Sequence, residues 1–530
     1  MRRWNGWGDE GVAYELPETA ALFIERRVGP GAPVRDAALA AVLRAAPPSR
    51  LPDHPLVSRE AAARVLHARG HSLPDWVALR SGRLGRLPDG VAFPRSAEEV
   101  RALLRYGTEA GARIIPYGGG TSVVGHLTPP PGDAPVLTVS MARLSGLLRF
   151  DSASRLATFG AGVSGPDLEA SLRARGHTLG HFPQSFERST LGGWIATRSS
   201  GQQSLAYGRI EQLFAGGRLE SPAGPLDLPP FPASAAGPDL RELVLGSEGR
   251  LGLLTEATVR ITPLPQREQT LGVFFPDWER ALAASRALAQ SGLPLAMLRL
   301  STPVETATTL ALAGHAHAVA ALERLLAMRG AGPDKCLLLI ALAGAPEQVA
   351  ATRRAALHLA ARHGGVNTGR AFGAQWMKSR FRTPYMRNTL WERGYAVDTV
   401  ETAAEWSRVP ALVDALQSTL GGALADLHER AHVFTHLSHQ YPTGSSIYTT
   451  YVFRLAPDPD ETLRRWSLLK KAASRAIVAG GGTISHQHGV GTDHAPFLPA
   501  EKGELGITAI RSLCAVFDPN GMMNPGKLFE

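Results

Sequence analysis

The sequence predicts an α+β protein in which two α/β subdomains form one domain and a smaller α+β domain caps it. Three observations predict this. The chain has 530 residues, too many for one ordinary core. A strand–helix–strand alternation begins at Val91 and ends in three consecutive glycines. A second alternation begins after about residue 266, beyond a strand closed by prolines. The expected division is an N-terminal helical segment over 1–85, a ligand-binding domain over 86–265, a cap over 266–480, and a C-terminal segment over 481–530 that returns to the site.

Residues 1–85 carry short amphipathic helical patches such as RDAALAAVLRAAPPS and REAAARVLHARG, broken by proline and glycine. VAF then reads as a strand, SAEEVRALLRYGTEAG as a helix and ARIIPY as a strand, which makes a βαβ unit. Ser96 with Glu99 three residues later predicts a capping box. VLTVS, LLRFD and LATFGAGV are strand-like, and residues 201–240 read as loops or a hairpin. In the cap, strands are expected at 271–275, LAMLRLS and CLLLIALAG. Helices are expected at 277–292, as one long Ala-rich helix over 305–330, and at APEQVAATRRAALHLAARHGG. Residues 370–465 read as irregular, and ETLRRWSLLKKAASRAIVAGGG reads as the final helix.

Composition narrows the function classes. Of 56 basic residues only six are lysine, and the net charge is +9. Arginine binds phosphate and carboxylate in a fixed fork, so an anionic substrate or an anionic membrane surface fits. No Lys/Arg-rich run occurs, which speaks against nucleic acid. The two cysteines, Cys336 and Cys514, sit in apolar settings, so neither a disulfide framework nor a Cys-based metal site follows. Without a signal-like N-terminus or a run of 18 apolar residues, a cytoplasmic protein is expected. A homodimer and peripheral membrane contact both stay open.

The stretch PYGGGTSVVG places three glycines at the C-terminal end of a strand, where open α/β sheets bind ligands. Such a backbone can approach a ligand closely and offer a nest of N–H groups to an anion. FGAGVSGPDLEASLRARG, residues 159–176, has the spacing of a dinucleotide fingerprint. Its helix is followed by HTLGHFPQS rather than by an apolar strand ending in an acid. These glycines are therefore read as a tight strand-to-helix turn, not an NAD site. The next segment, 177–213, is crowded with small and hydroxyl residues around Trp194 and Ile195, as suits a backbone wrapped around a large planar ligand.

PYGGGTSVVG, FPQSFERSTLGGWIATRSSG, GSEGRLGLLTEA and the closing FDPNGMMNPGKLF together resemble the vanillyl-alcohol-oxidase (PCMH-type) superfamily of FAD-binding proteins. RWNGWGD, SFERSTLGGWIATRSSGQQSLAYGRIE and ISHQHGVG narrow the resemblance to the alkylglycerone-phosphate synthase family, from Trp4 to Phe529. The resemblance implies a PCMH-type FAD-binding domain with a cap. It also implies FAD held by Pro116, Tyr117, Gly118, Gly119, Gly120, Thr121 and Ser122 at the pyrophosphate. Gln184, Ser185, Ser189, Thr190, Gly193, Thr197, Ser199, Ser200, Glu248, Gly249, Gly252 and Leu254 would hold the rest. Some relatives attach the flavin through a histidine in the glycine turn. Here His126 comes later, so noncovalent FAD is expected.

In that family an acyl ester of dihydroxyacetone phosphate loses its fatty acid and gains a fatty alcohol, with the flavin taking part but no net redox change. Tyr448 in GSSIYTTYVF matches the family's essential tyrosine, and Arg299 and Arg387 match two anion-holding arginines. His486 and His488 remain from a run of three histidines, interrupted here by Gln487, and with Tyr448 they are the expected catalytic acid/base groups, one or both histidines facing the flavin. Two apart, they would point the same way from an extended segment. His428, His432, His436 and His439 tempt a metal reading, but VFTHLSHQYPTGSSIYTTYVF looks like two strands around a turn, so no metal is expected, and His436 and His439 are read as pocket-lining. The rival reading is an FAD-linked oxidase or dehydrogenase of a 2-hydroxy acid such as D-lactate or glycolate. A non-catalytic flavin-binding protein is the third.

Overall fold

The computed structural model describes residues 2–314 and 316–529. Three main sheets organise it. The first has the order Val57–Ser58, Gly90–Ala92, Val136–Ser140, Arg113–Tyr117, with its last three strands parallel. The βαβ reading holds, but Val136–Ser140 lies between the two strands of the unit. Helix Ala97–Glu109 covers the sheet because Val100, Leu103 and Leu104 recur on one face. Ser96 caps it by accepting the Glu99 N–H. The capping box stays half-formed, since the Glu99 carboxylate accepts from Arg95 N instead.

The second sheet is antiparallel, in the order Leu147–Asp151, Leu156–Gly160, Leu253–Arg260, Phe214–Ser221, Gly224–Leu228. The last two strands are the hairpin expected within 201–240. Gly160 and Gly162 allow the turn before helix Gly165–Arg173 to pass close over the backbone of Met141 and Leu144. Their role is packing, as expected of a strand-to-helix turn.

The third sheet has seven strands in the order Val366–Asn367, Arg267–Phe275, Cys336–Gly344, Leu295–Ser301, Ala431–Leu437, Gly444–Arg454, Tyr395–Glu405. Both its faces are buried. Leu338, Ile340 and Leu342 join one core, and their neighbours Leu337, Leu339 and Ala341 join another, as a period of two requires.

The structure corrects three expectations here. Residues 370–465 are regular, with helices Ala371–Ser379, Thr383–Glu392 and Val409–Gly422 and three long strands. Inward-pointing Asp398, Glu401 and His436 break the apolar alternation that would have announced those strands. The Ala-rich stretch forms two helices, Pro303–Leu312 and Ala316–Met328, parted at Gly314, which has φ +72. Beyond Pro459–Ala479 lies a further helix, Leu498–Phe517, kinked at Gly503. Among the described residues no helix is long and apolar enough to cross a membrane.

Candidate active site

One cavity of about 820 Å³ runs from the glycine turn into the face of the seven-stranded sheet. That volume lies toward the upper end of the range for ligand sites. All the residues expected to hold FAD line it, from Pro116 through Ser122, from Gln184 through Ser200, and from Glu248 through Leu254.

The turn begins where strand Arg113–Tyr117 ends, and Gly120 has φ +74. The N–H groups of Gly119, Gly120, Thr121 and Ser122 find no acceptor among the described residues. Four unclaimed donors beside a cavity fit the pyrophosphate of FAD. The strap from Gln184 ends in helix Leu191–Thr197, capped by Thr190. Trp194 and Ile195 anchor that helix in the core of the second sheet, and Trp194 Nε1 donates to Ser189 Oγ at 2.7 Å. The third segment bonds directly to the strap, with Gly246 N on Ile195 O at 3.1 Å and Glu248 N on Ala196 O at 2.9 Å. Three stretches far apart in sequence thus form one cradle.

Gly119 corrects its expected reason. An added Cβ would strike the carbonyl oxygen of Arg188. The glycine lets the turn touch the strap, and no ligand contact is needed to require it.

Glu248 is a hub that sequence reasoning gave a flavin role alone. Its carboxylate accepts Val490 N at 2.5 Å and Gly491 N at 2.8 Å. His126 Nε2 lies 2.9 Å from it, and His126 Nδ1 bonds Ser122 Oγ at 2.7 Å. Asn524 Nδ2 donates to the Glu248 carbonyl at 2.7 Å, and Asn524 also lines the cavity. Glu248 takes a left-handed φ of 52, which only the structure shows, and the one signal in the sequence was the NPG of the C-terminus. Only the fold joins them.

The chemical groups come from the seven-stranded sheet. Its register places His436 opposite Tyr448 and Tyr448 opposite Glu401, a row across three adjacent strands. The His436 ring stacks on Tyr448 at 4.9 Å and 24°, and His488 meets Tyr448 edge-on at 5.8 Å and 78°. Glu401 Oε1 accepts the N–H groups of Gln487 and His488, at 2.6 and 2.8 Å, and lies 3.5 Å from His488 Nδ1. Burial holds the His488 imidazole below its ordinary pKa, against the opposing pull of Glu401, and pushes the Tyr448 phenol up.

His486 and His488 do not point the same way. The segment is irregular, not extended. His486 turns from the cavity and bonds Tyr441 OH through Nε2 at 2.6 Å. Gln487, in the middle, lines the cavity beside His439. The residue in which this chain departs from the resembled motif therefore occupies a site position.

Both arginines line the cavity, in different states. Arg387 lies half-buried over Trp76 at 4.4 Å, donates Nη1 to His71 O at 2.8 Å and leaves its enclosed Nη2 without an acceptor among the described residues. Its helix, Thr383–Glu392, is held by the N-terminal RWNGWGD, because Asn388 bonds both Trp7 N and Trp7 O. Arg299 is instead paired with buried Glu305, which reaches His436 Nδ1 at 3.0 Å. Glu305 sits in the first turn of a helix begun by Thr302-Pro303, an N-cap and a first-turn proline readable in the sequence. His432 and His436 stand on one strand, Ala431–Leu437. His432 Nε2 bonds Thr308 at 2.9 Å, and His428 lies outside that strand.

A profile described as an FAD binding domain matches residues 88–226, and one described as FAD linked oxidases, C-terminal domain, matches residues 264–528. The alkyldihydroxyacetonephosphate synthase of Dictyostelium discoideum is 32% identical over 529 residues, covering 98% of this chain and 85% of the relative. That of Trypanosoma brucei brucei is 28% identical, covering 99% and 92%. A probable mitochondrial D-lactate dehydrogenase of Danio rerio is 27% identical over 89% of each chain. A solved alkyldihydroxyacetonephosphate synthase matches with TM-score 0.86 at 28% identity over 99% of both chains. p-Cresol methylhydroxylase, 14% identical, shares the fold with TM-score 0.69 over 89% of this chain and 93% of its own.

Proposed function

Since the chain belongs to the FAD-linked oxidase family, alongside its alkyldihydroxyacetonephosphate synthases, we propose that it replaces the acyl group of an acyl-dihydroxyacetone phosphate with a fatty alcohol. It is an FAD-dependent enzyme acting on a small lipid-like substrate. The observation that favours the synthase over a hydroxy-acid dehydrogenase is the apolar extent of the cavity. Beyond Tyr448 it reaches Ile24, Leu312, Leu390 and Val452, and on another side Met297, Leu339, Phe372 and Trp376. A two- or three-carbon hydroxy acid has no use for these walls, whereas a fatty chain does.

FAD supplies an electrophilic ring able to take and return electrons within one turnover. It is held noncovalently in this reading, since the glycine turn contains no histidine and His126 is engaged by Ser122 and Glu248. Arg387, which lines the cavity, offers its guanidinium to the substrate phosphate. His488, neutral at pH 7 with Glu401 behind it, accepts the proton from the carbon next to the ketone. The carboxylate then stabilises the imidazolium. Tyr448 lies between the His488 and His436 imidazoles and fixes their separation by ring packing. A substrate of this kind also argues for work at a membrane surface.

The decisive assay supplies acyl-dihydroxyacetone phosphate and labelled fatty alcohol without oxygen. Label is expected in an ether product, with the flavin oxidised at the end. Lasting anaerobic bleaching by D-lactate or glycolate, with no ether formed, would replace this reading with the dehydrogenase.

A further inference from the structure

The exchange asks for a second proton transfer besides the one assigned to His488. A departing fatty acid leaves as a carboxylate and needs no acid at neutral pH. An entering alcohol holds its proton far more tightly and must lose it to a base. Residue 487, where the resembled motif has a histidine, is glutamine and cannot serve.

The cap holds a second buried imidazole with the geometry of a base. His436 Nδ1 bonds Glu305 at 3.0 Å, which directs Nε2 away from that carboxylate, and His436 lines the cavity. Its strand neighbours His432 and Phe434 line the same apolar reach as Ile24 and Leu312. An alcohol whose chain fills that reach presents its hydroxyl at His436. His488 lies across the Tyr448 ring, on the loop that Glu248 ties to the glycine turn.

We propose that His436, oriented by Glu305, is the base that takes the proton of the incoming fatty alcohol. This inference rests on the synthase reading. The bond between the dihydroxyacetone carbon and the carboxylate oxygen breaks, and its electron pair leaves with the fatty acid. The alcohol oxygen supplies the pair for the new carbon–oxygen bond, its proton passes to His436 and then to solvent, and no oxidant or reductant is consumed. The charged and titratable groups facing His436 are Glu305 from its helix, Arg299 from the neighbouring strand, Tyr448 from the paired strand, and His439 beyond the end of its own. Burial foremost, then Arg299, lowers its pKa, and Glu305 opposes them, so the imidazole is neutral and able to accept a proton.

The test separates the two halves of the reaction. Exchange of labelled fatty acid into the acyl substrate needs no alcohol, and ether formation does. His436→Gln is expected to lower ether formation roughly 100-fold while acid exchange stays within about threefold, with flavin content kept. Equal loss of both, or loss of neither, would overturn the proposal. Glu305→Gln gives a second readout that holds even if the histidine variant loses flavin. Removing the carboxylate lowers the His436 pKa further, so the acid limb of the ether-forming pH profile should move to lower pH. A limb that does not move would overturn the proposal as well. Failure of the wild-type enzyme to form ether at all would instead overturn the synthase reading on which it stands.

Discussion

Arg387 is a half-buried cation that lines the cavity and commits Nη1 to the His71 carbonyl. Arg387→Ala should leave flavin content intact and raise the substrate requirement or lower turnover by roughly 10- to 100-fold, the scale of one charge-assisted bond to an anion. Steady-state kinetics on flavin-loaded protein decides it, and wild-type behaviour would remove Arg387 from the site. Arg299→Ala should behave differently. It strips the partner from a buried carboxylate, so thermal stability as well as turnover should fall. His488→Ala should cost about 100-fold or more in turnover.

Asp493 carries a pH effect that needs no substrate. The residue is half-buried with its Oδ2 enclosed and without a partner among the described residues, and burial pushes its carboxyl up to about 7 from 3.8. The folded state therefore binds this proton more tightly than the unfolded chain. The resulting stability is complete below about pH 4 and is lost as pH rises through about 7. Asp493→Asn keeps the shape and removes the titration. Its melting temperature should exceed that of wild type at pH 8, by an amount reflecting a few kcal/mol at most, with the difference shrinking toward pH 5. A pH-independent difference would show that Asp493 is not titrating.

At the scale of elements, the cradle depends on segments that touch through backbone. Gly119→Ala places a methyl group against the Arg188 carbonyl, so even this smallest change should part the turn from the strap and lower FAD occupancy. Flavin absorbance per mole of purified protein measures this, and full occupancy would show that the contact yields without cost. The helix Thr383–Glu392 offers a parallel case, since Asn388 fastens it to Trp7 by two bonds. The seven-stranded sheet supplies its chemistry by register. A slip of one residue in Gly444–Arg454 would turn Tyr448 away from the cavity and break its row with His436 and Glu401.

For the whole molecule, both ends of the chain close on the site. The C-terminal run pairs with the first sheet, through Asn524 N on Ile114 O at 2.8 Å, and reaches Glu248 through its side chain. Purified protein should be yellow and release FAD on acid precipitation. A colourless protein that FAD does not reconstitute would end the flavoenzyme reading for this chain.

Short-range chemistry alone made much of this legible. Three glycines after an apolar strand, a strap dense in hydroxyls, and capped helices in the first 370 residues are local signals, and local backbone sterics decide them. The motifs carried the family and the residues that line the cavity around the glycine turn. What the sequence did not show depended on long-range pairing. The strands at 395–454 were hidden because Asp398, Glu401 and His436 interrupt their apolar pattern, polar groups made stable by partners distant in sequence: Tyr451, the backbone of 487–488 and Glu305. His486 and His488 looked equivalent two residues apart, and Tyr441 on one side and Glu401 on the other drew them to different places. Glu305 and Glu401 carried no motif and Glu248 carried one for the flavin alone, for a carboxylate acquires such a role only when the fold removes it from water and sets a histidine or an N–H against it.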